Sequence, residues 1–102
     1  SGSRSGGMTA EEMLAADAMP EGVSPALRAV WHGLREEWEA AHALVQDEPG
    51  HEAAWVHAWL HRIEGDLGNA GYWYRRANRE MPRRGTATDS EGHDIAGVLF
   101  GL

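Results

Sequence analysis

Two breaker segments divide residues 24–82 into three stretches whose apolar side chains recur at helical spacing. The longest stretch begins at Ser24-Pro25, a cap residue followed by proline at the first helical position, and ends at Asp47-Glu48-Pro49-Gly50. Between these points the apolar face advances in steps of three and four residues, which predicts one amphipathic helix over 25–47. That face consists of Leu27, Val30, Trp31, Leu34, Trp38, Ala41, His42 and Val45.

A helical hairpin is predicted for residues 51–82. Its first helix, over 51–64, is marked by Trp55, Trp59 and Ile63, and Gly65-Asp66 makes the turn. The second helix runs over about 67–80, and Pro82 ends it. Three arginines in its last turns complement the helix dipole, namely Arg75, Arg76 and Arg79.

Shorter segments flank these helices. Thr9-Ala10-Glu11-Glu12 is a capping box, which predicts a short helix ending at Met19-Pro20-Glu21-Gly22. After a polar linker over 83–90, residues 94–100 are apolar enough to form a short closing helix. The pattern as a whole predicts an all-α fold, a bundle of four or five helices with the hairpin at its centre.

Composition limits the classes of protein to which this chain can belong. The opening residues 1–7 lack any apolar side chain, so we interpret them as a disordered expression-tag remnant and residues 8–102 as a single helical domain. The absence of cysteine excludes a disulfide scaffold, a thiolate metal site and a cysteine nucleophile. Since no run approaches the roughly 18 apolar residues of a membrane span, and no secretory signal is present, we expect no membrane association and a cytoplasmic location.

Charge is unevenly distributed along the chain. The net charge of −7 argues against nucleic-acid binding, which requires a basic surface. Residues 8–52 hold ten acidic residues against two arginines, whereas residues 62–84 hold six arginines against three acidic residues. Such a molecule could associate head to tail, for example as a homodimer, or steer an acidic ligand toward its basic end. The plainer alternative is a solvated surface with charges at helix ends.

The hairpin resembles a single tetratricopeptide repeat. The signature of that repeat ends with alanine, an aromatic residue four positions later and proline eight positions beyond, which here are Ala70, Tyr74 and Pro82. The Gly65-Asp66 turn and the small residues Ala58 and Ala77 agree with the same register. Because repeats of this class bind peptides, the resemblance implies a non-catalytic interaction domain.

Three positions depart from the repeat. Where it carries large apolar side chains on the inner face of its first helix, this chain has Ala54, His57 and His61. In this register Trp55 and Trp59 face the concave side, where such repeats bind ligands. A lone hairpin cannot bury its own apolar face, so we expect the 25–47 helix and the C-terminal segment to cover it.

A second resemblance covers much of the same region. This region is similar to a family of small uncharacterised bacterial and fungal proteins. The residues that carry the similarity are Ala53-Ala54-Trp55-Val56-His57, Leu60-His61-Arg62, Glu64-Gly65-Asp66, Asn69-Ala70 and Tyr72-Trp73-Tyr74-Arg75-Arg76-Ala77. Because we know of no activity for that family, this resemblance implies no function.

The leading functional prediction is a surface for a peptide or for a small acidic or aromatic ligand. Indole rings beside a guanidinium suit a carboxylate or an aromatic ring. The predicted ligand-binding residues are Trp55, Trp59, Arg62, Trp38 and Tyr74. The alternative for these aromatic residues is the core, where the 25–47 helix also places Trp38 together with Trp31.

Histidine spacing supports a second hypothesis, a metal site. His57 and His61 are four residues apart and therefore share one helix face. Antiparallel packing across the 48–51 loop would bring His42 toward them, with Glu39 as a fourth ligand. Nitrogen and carboxylate ligands suit zinc, iron or nickel. The plainer alternative is no cofactor, with core histidines hydrogen-bonded to groups such as Tyr74, Gln46, Glu64 or backbone carbonyls.

Catalysis has little support in the sequence. Serine and threonine lie only in caps and linkers, so no hydroxyl nucleophile is predicted within the aromatic core. The pair formed by His61 and Glu64 has the spacing of an acid–base couple, but such helical pairs are common in structural roles. We therefore predict no catalytic residues.

Overall fold

The computed structural model describes residues 10–15, 22–83 and 85–100. Six helices account for most of them, and no strand occurs in these ranges, which confirms the predicted all-α fold. In chain order the helices are α1 Ala10–Ala15, α2 Pro25–Leu34, α3 Trp38–Val45, α4 His51–Glu64, α5 Leu67–Arg76 and α6 Thr88–Phe100.

Helix α4 is the centre of the fold. Residues 53–60 are all buried, and α2, α3, α5 and α6 each pack against this helix. A helix that is apolar all round needs neighbours on every side. The predicted covering of the hairpin from both sides is therefore confirmed. The predicted concave face is wrong, because Trp59 is fully buried and Trp55 is only 9% exposed.

Trp59 lies between two glycines on neighbouring helices. A Cβ at Gly33 of α2 would lie 2.6 Å from Cζ3 of this indole, and a Cβ at Gly92 of α6 would lie 2.6 Å from Cζ2. Both distances are about 1 Å shorter than ordinary carbon–carbon contact. The indole nitrogen donates to the carbonyl oxygen of Thr88 at 2.8 Å. Close approach of α2 and α6 to α4 therefore depends on glycine at positions 33 and 92.

The single helix predicted over 25–47 is wrong, because it is broken into α2 and α3. Glu36 takes a left-handed φ of 62°, and the amides of Glu36 and Glu37 bond back to the carbonyls of Gly33 and His32. This is a Schellman motif, which normally places glycine at the left-handed position. Neither glycine nor proline marks the break in the sequence, and the apolar spacing continues across it. The described residues therefore form six helices, where the sequence predicts four or five.

The predicted hairpin of α4 and α5 is present. Gly65 takes a left-handed φ of 92° at the turn, and the Asp66 side chain accepts from the Asn69 amide to cap α5. Helix α5 ends at Arg76 rather than near residue 80, because Asn78 takes a φ of 62° and the Arg79 amide bonds to the Tyr74 carbonyl. Ala58, Ala70 and Ala77 are all buried.

Helix α6 begins six residues earlier than predicted and carries a buried carboxylate. Glu91 pairs with Arg62 of α4 and accepts a hydrogen bond from the Tyr74 hydroxyl of α5. A second donor of Arg62, Nη2, bonds the Thr86 carbonyl oxygen at 2.6 Å. Glu91 shares a helix face with Ile95, which is also buried. This network fixes α6 on the hairpin.

Several predictions lie outside the described residues. They are the expression-tag remnant at 1–7, the Thr9 cap and the end of the first helix within 16–21. Within the described part, Met13 and Leu14 of α1 are buried and this helix packs against α6. None of the described helices combines the length and apolar character needed to cross a membrane.

Candidate metal centre

Three histidines meet where α3 packs on α4. His42 comes from α3, and His57 and His61 come from successive turns of α4. One nitrogen from each ring can be chosen so that all three lie within 4.8 Å of one another. Nε2 of His42 lies 3.0 Å from Nε2 of His57. The antiparallel packing predicted across the loop therefore does bring His42 to the pair on α4.

Aromatic rings enclose the cluster from two sides. Trp38 stacks on His42 with ring centroids 4.7 Å apart, and Trp73 of α5 stacks on His57 at 4.0 Å. His57 is only 5% exposed, whereas His42 and His61 are half-buried. His57 is thus the buried member of the cluster, and His42 and His61 are partly accessible to solvent.

A neighbouring carboxylate orients one of the rings. Nδ1 of His61 lies 2.7 Å from a carboxylate oxygen of Glu64, one turn later on α4. Such a contact holds the proton on Nδ1 and leaves Nε2 with its lone pair, the arrangement common around metal-bound histidines. Glu64 thus acts as a hydrogen-bond partner of His61, one of the interactions considered for core histidines.

Burial keeps two of the rings neutral. Burial first, and then the neighbouring His42 and His61, lower the pKa of His57 from its ordinary value of 6.5 to about 4. Burial and His61 also lower the pKa of His42, against a smaller opposing effect of Glu64. Both rings are therefore neutral near pH 7, and a neutral ring is the form that binds a metal.

One nitrogen of His57 is unsatisfied. Nδ1 of this ring is buried and has no hydrogen-bond partner among the described residues. The other nitrogen faces the equivalent nitrogen of His42, so one ring must carry a proton that the other accepts. A buried polar atom without a partner destabilises a fold by about 1–3 kcal/mol.

The cluster has the dimensions of a nitrogen-ligand metal site. Zinc binds imidazole nitrogen at about 2.0–2.1 Å, so two nitrogens on one tetrahedral zinc are about 3.3 Å apart. The separation of 3.0 Å between His42 and His57 is close to this value. Small movements of side chains would therefore place an ion between the rings.

The predicted fourth ligand is not part of the cluster. Glu39 is exposed and lines a shallow hollow with His32 and Glu37 instead. The inward position at the start of α3 is taken by Trp38, whose indole nitrogen donates to the Leu60 carbonyl at 2.6 Å. The prediction of Glu39 as a ligand is therefore wrong, and three histidines remain.

A second group of ligand atoms adjoins the first. His61, Glu64 and Asp66 also approach within 4.8 Å of one another, but both carboxylates lie toward the surface. Asp66 already caps α5, and hydrogen bonds from the side chain and backbone of Asn69 lower its pKa. We therefore assign Glu64 and Asp66 to orientation and capping rather than to a separate site.

The aromatic and arginine surface predicted for a ligand is internal. Trp59 and Tyr74 are buried, and Arg62 forms the buried pair with Glu91. Trp55 is covered by the Arg79 guanidinium, 3.9 Å above its ring. The fifth predicted residue, Trp38, is half-buried and contacts the histidine cluster. This correction follows from α6, which begins early enough to cover the hairpin.

Two residues with buried contacts were not predicted as functional residues. Trp73 was not singled out as such, although it stacks on His57 of the cluster. Glu91 carried one usable signal, because it precedes Ile95 and Leu99 at helical spacing and so lies on the apolar face of α6.

No protein-family model, curated protein or solved structure matched this chain. The tetratricopeptide nature of the hairpin therefore stays a prediction, and the function has to be argued from the geometry of the site.

Proposed function

We propose that this protein binds one divalent transition-metal ion, with zinc as the representative case, through His42, His57 and His61. The observation that carries the proposal is the convergence of one ring nitrogen from each of the three histidines within 4.8 Å of one another. Imidazole ligands suit zinc, copper, nickel and iron, and a site with three protein ligands leaves one coordination position open.

Two features of the surroundings support the same function. The low pKa of His57 keeps a lone pair available at neutral pH without first releasing a proton. The carboxylate of Glu64 bonds to Nδ1 of His61 and directs the other nitrogen of that ring away from it. A closed structural site uses four protein ligands, so this cluster suits an exchangeable or reactive ion better than a purely structural one.

Calorimetric titration of chelator-treated protein with Zn²⁺ tests the proposal directly. We expect binding of one ion per chain, abolished in a His42→Ala/His61→Ala variant. The matched control is His51→Ala/His93→Ala, which removes two exposed histidines outside the cluster and should bind as the wild type does. Circular dichroism establishes that each variant is folded. Folded wild-type protein that binds no zinc, copper, nickel or iron would refute the proposal.

Tryptophan emission offers an independent measurement. Trp38 and Trp73 stack directly on the cluster, so Cu²⁺ bound there should quench their fluorescence. Quenching should saturate at one equivalent and be lost in His42→Ala/His61→Ala. Equal quenching in this variant and in its control would place the copper elsewhere.

A further inference from the structure

The exposed arginines of the described residues are concentrated on one side of the hairpin. They lie on α5 and in the segment after it, at Arg75, Arg76, Arg79 and Arg83. Most of the large apolar side chains exposed in the described ranges lie in the same region, namely Ile63, Leu67, Tyr72 and Met81. Arginine, tyrosine and methionine are enriched at protein interfaces, so this side has the composition of a contact surface.

Exposed residues of α5 and of the segment directly after it form what we call the basic ridge, comprising Tyr72, Arg75, Arg76 and Arg79. The first three belong to α5, whereas Arg79 lies beyond its end and places its guanidinium 3.9 Å from the Trp55 ring. The Arg76 guanidinium lies 5.7 Å from the Tyr72 ring centroid and donates to its hydroxyl at 3.3 Å. Tyr72 is 54% exposed. The ridge is thus partly ordered before any partner binds.

A surface of opposite charge lies at the break between α2 and α3. A shallow hollow of about 500 Å³ is lined by His32, Glu36, Glu37, Trp38, Glu39 and Ala40, and we call it the acidic hollow. Glu37 bonds to His32 at 2.7 Å. No side-chain hydrogen bond or ion pair joins the carboxylate of Glu36 or of Glu39 to another described residue. The hollow therefore offers two free carboxylates beside an indole.

Glu36 is the unusual residue of this hollow. It holds the left-handed φ of 62° at a helix end where glycine is usual. Left-handed conformation disfavours a residue with a side chain, so glycine would be the more stable choice here. Strained backbone of this kind is concentrated at functional positions. Retention of a carboxylate at this position is consistent with a partner that contacts it.

We infer that the basic ridge of one molecule docks into the acidic hollow of a second copy of this chain. The partner is a second copy because the chain itself carries both complementary surfaces. Since ridge and hollow are different parts of the surface, the contact is head to tail and can propagate as an open chain or close as a ring. This interface uses neither the three clustered histidines nor a metal, so it is independent of the proposed function.

Salt dependence separates this contact from general charge effects. Two copies that each carry a net charge of −7 repel one another, and added salt screens that repulsion. Salt also screens the attraction between the basic ridge and the acidic hollow, and this screening weakens self-association. Self-association should therefore weaken as the salt concentration rises from about 0.01 M to about 0.15 M, over which the Debye length falls from about 30 Å to about 8 Å.

Sedimentation velocity of the full chain in the presence of chelator tests the inference. Variant Arg75→Gln/Arg76→Gln removes charges from the ridge, and Glu36→Gln/Glu39→Gln removes charges from the hollow. We expect each to weaken self-association about tenfold or more at low salt. The control Glu11→Gln/Asp94→Asn changes the net charge as the hollow variant does but lies on α1 and α6, and it should associate like the wild type.

Mixing the two variants provides the decisive measurement. The ridge variant keeps a normal hollow and the hollow variant keeps a normal ridge, so the mixture should form one-to-one heterodimers that do not grow further. Wild-type protein that stays monomeric, or a mixture with no heterodimer, would overturn the inference. Monomeric wild type that binds poly-glutamate through Arg75 and Arg76 would also overturn it, and would assign the ridge to an acidic partner.

Discussion

Acid should destabilise the metal-free protein through His57. The pKa of this ring falls from 6.5 in the unfolded chain to about 4 in the folded one. The unfolded chain therefore takes up a proton at higher pH than the folded chain does. The contribution of His57 to stability is therefore complete above about pH 6.5 and decreases as the pH falls toward 4. Below about pH 4, His57 causes no further loss of stability.

The magnitude can be worked from the same ring. Each pKa unit corresponds to about 1.4 kcal/mol, so the lowering of the His57 pKa from 6.5 to about 4 is worth at most about 3–4 kcal/mol of unfolding free energy. His42 acts in the same direction, because its pKa is also lowered. Small domains have unfolding free energies of about 5–15 kcal/mol, so this loss is large. The pKa of Asp66 lies below 3.8, and its titration therefore falls below this pH range.

Urea unfolding at a series of pH values between about 7 and 4.5, with chelator present, measures the effect. The variant His57→Phe keeps a ring against Trp73 but cannot titrate, so its unfolding free energy should vary less across this range. The control His93→Gln removes an exposed histidine and should follow the wild type. If wild type and His57→Phe lose stability in parallel, the buried-histidine argument is wrong.

Three further perturbations have defined outcomes. Zinc at about a hundred times its dissociation constant should raise the unfolding free energy by about 2.7 kcal/mol, measured by thermal unfolding, and should do nothing for His42→Ala/His61→Ala. Gly92→Ala should lower stability by about 1–3 kcal/mol in urea unfolding, and less when Trp59→Phe is also present, because the added Cβ meets the indole. A stable Gly92→Ala protein would contradict that packing. Glu36→Gly should raise stability by about 1 kcal/mol while weakening self-association, whereas unchanged or lower stability would argue against strain at this position.

The helices were predictable where local chemistry determines them. Gly65-Asp66 predicts the turn between α4 and α5, since glycine favours the left-handed conformation and aspartate caps the next helix. Glu36 and Asn78 perform the same left-handed function without a glycine, and both breaks were missed. Tertiary contacts, such as the anchoring of Trp38 on the Leu60 carbonyl, decide such positions.

The site was predictable only in part. The spacing of His57 and His61 placed both on one face, and the short loop after α3 allowed His42 to join them. Exposure of the aromatic residues could not be predicted in the same way, because a tryptophan suits a core and a binding surface equally. Trp59 is buried because Gly33 and Gly92 leave room for its indole. These two glycines are distant in sequence and close only in the folded chain.

This small domain has two groups of buried polar side chains, the network around Glu91 and the histidine cluster. They differ in whether their polar atoms have hydrogen-bond partners. In the network of Glu91, Arg62 and Tyr74 the carboxylate has two partners, and Arg62 also bonds a backbone carbonyl. Such a satisfied network holds α6 in place and needs no ligand. The histidine cluster is incomplete, because Nδ1 of His57 has no partner among the described residues, although Nε2 of His57 and Nε2 of His42 share a hydrogen bond. A metal ion would accept the lone pairs of both facing nitrogens, and its binding energy would then contribute to folding. The incomplete cluster is therefore the better candidate for a ligand site.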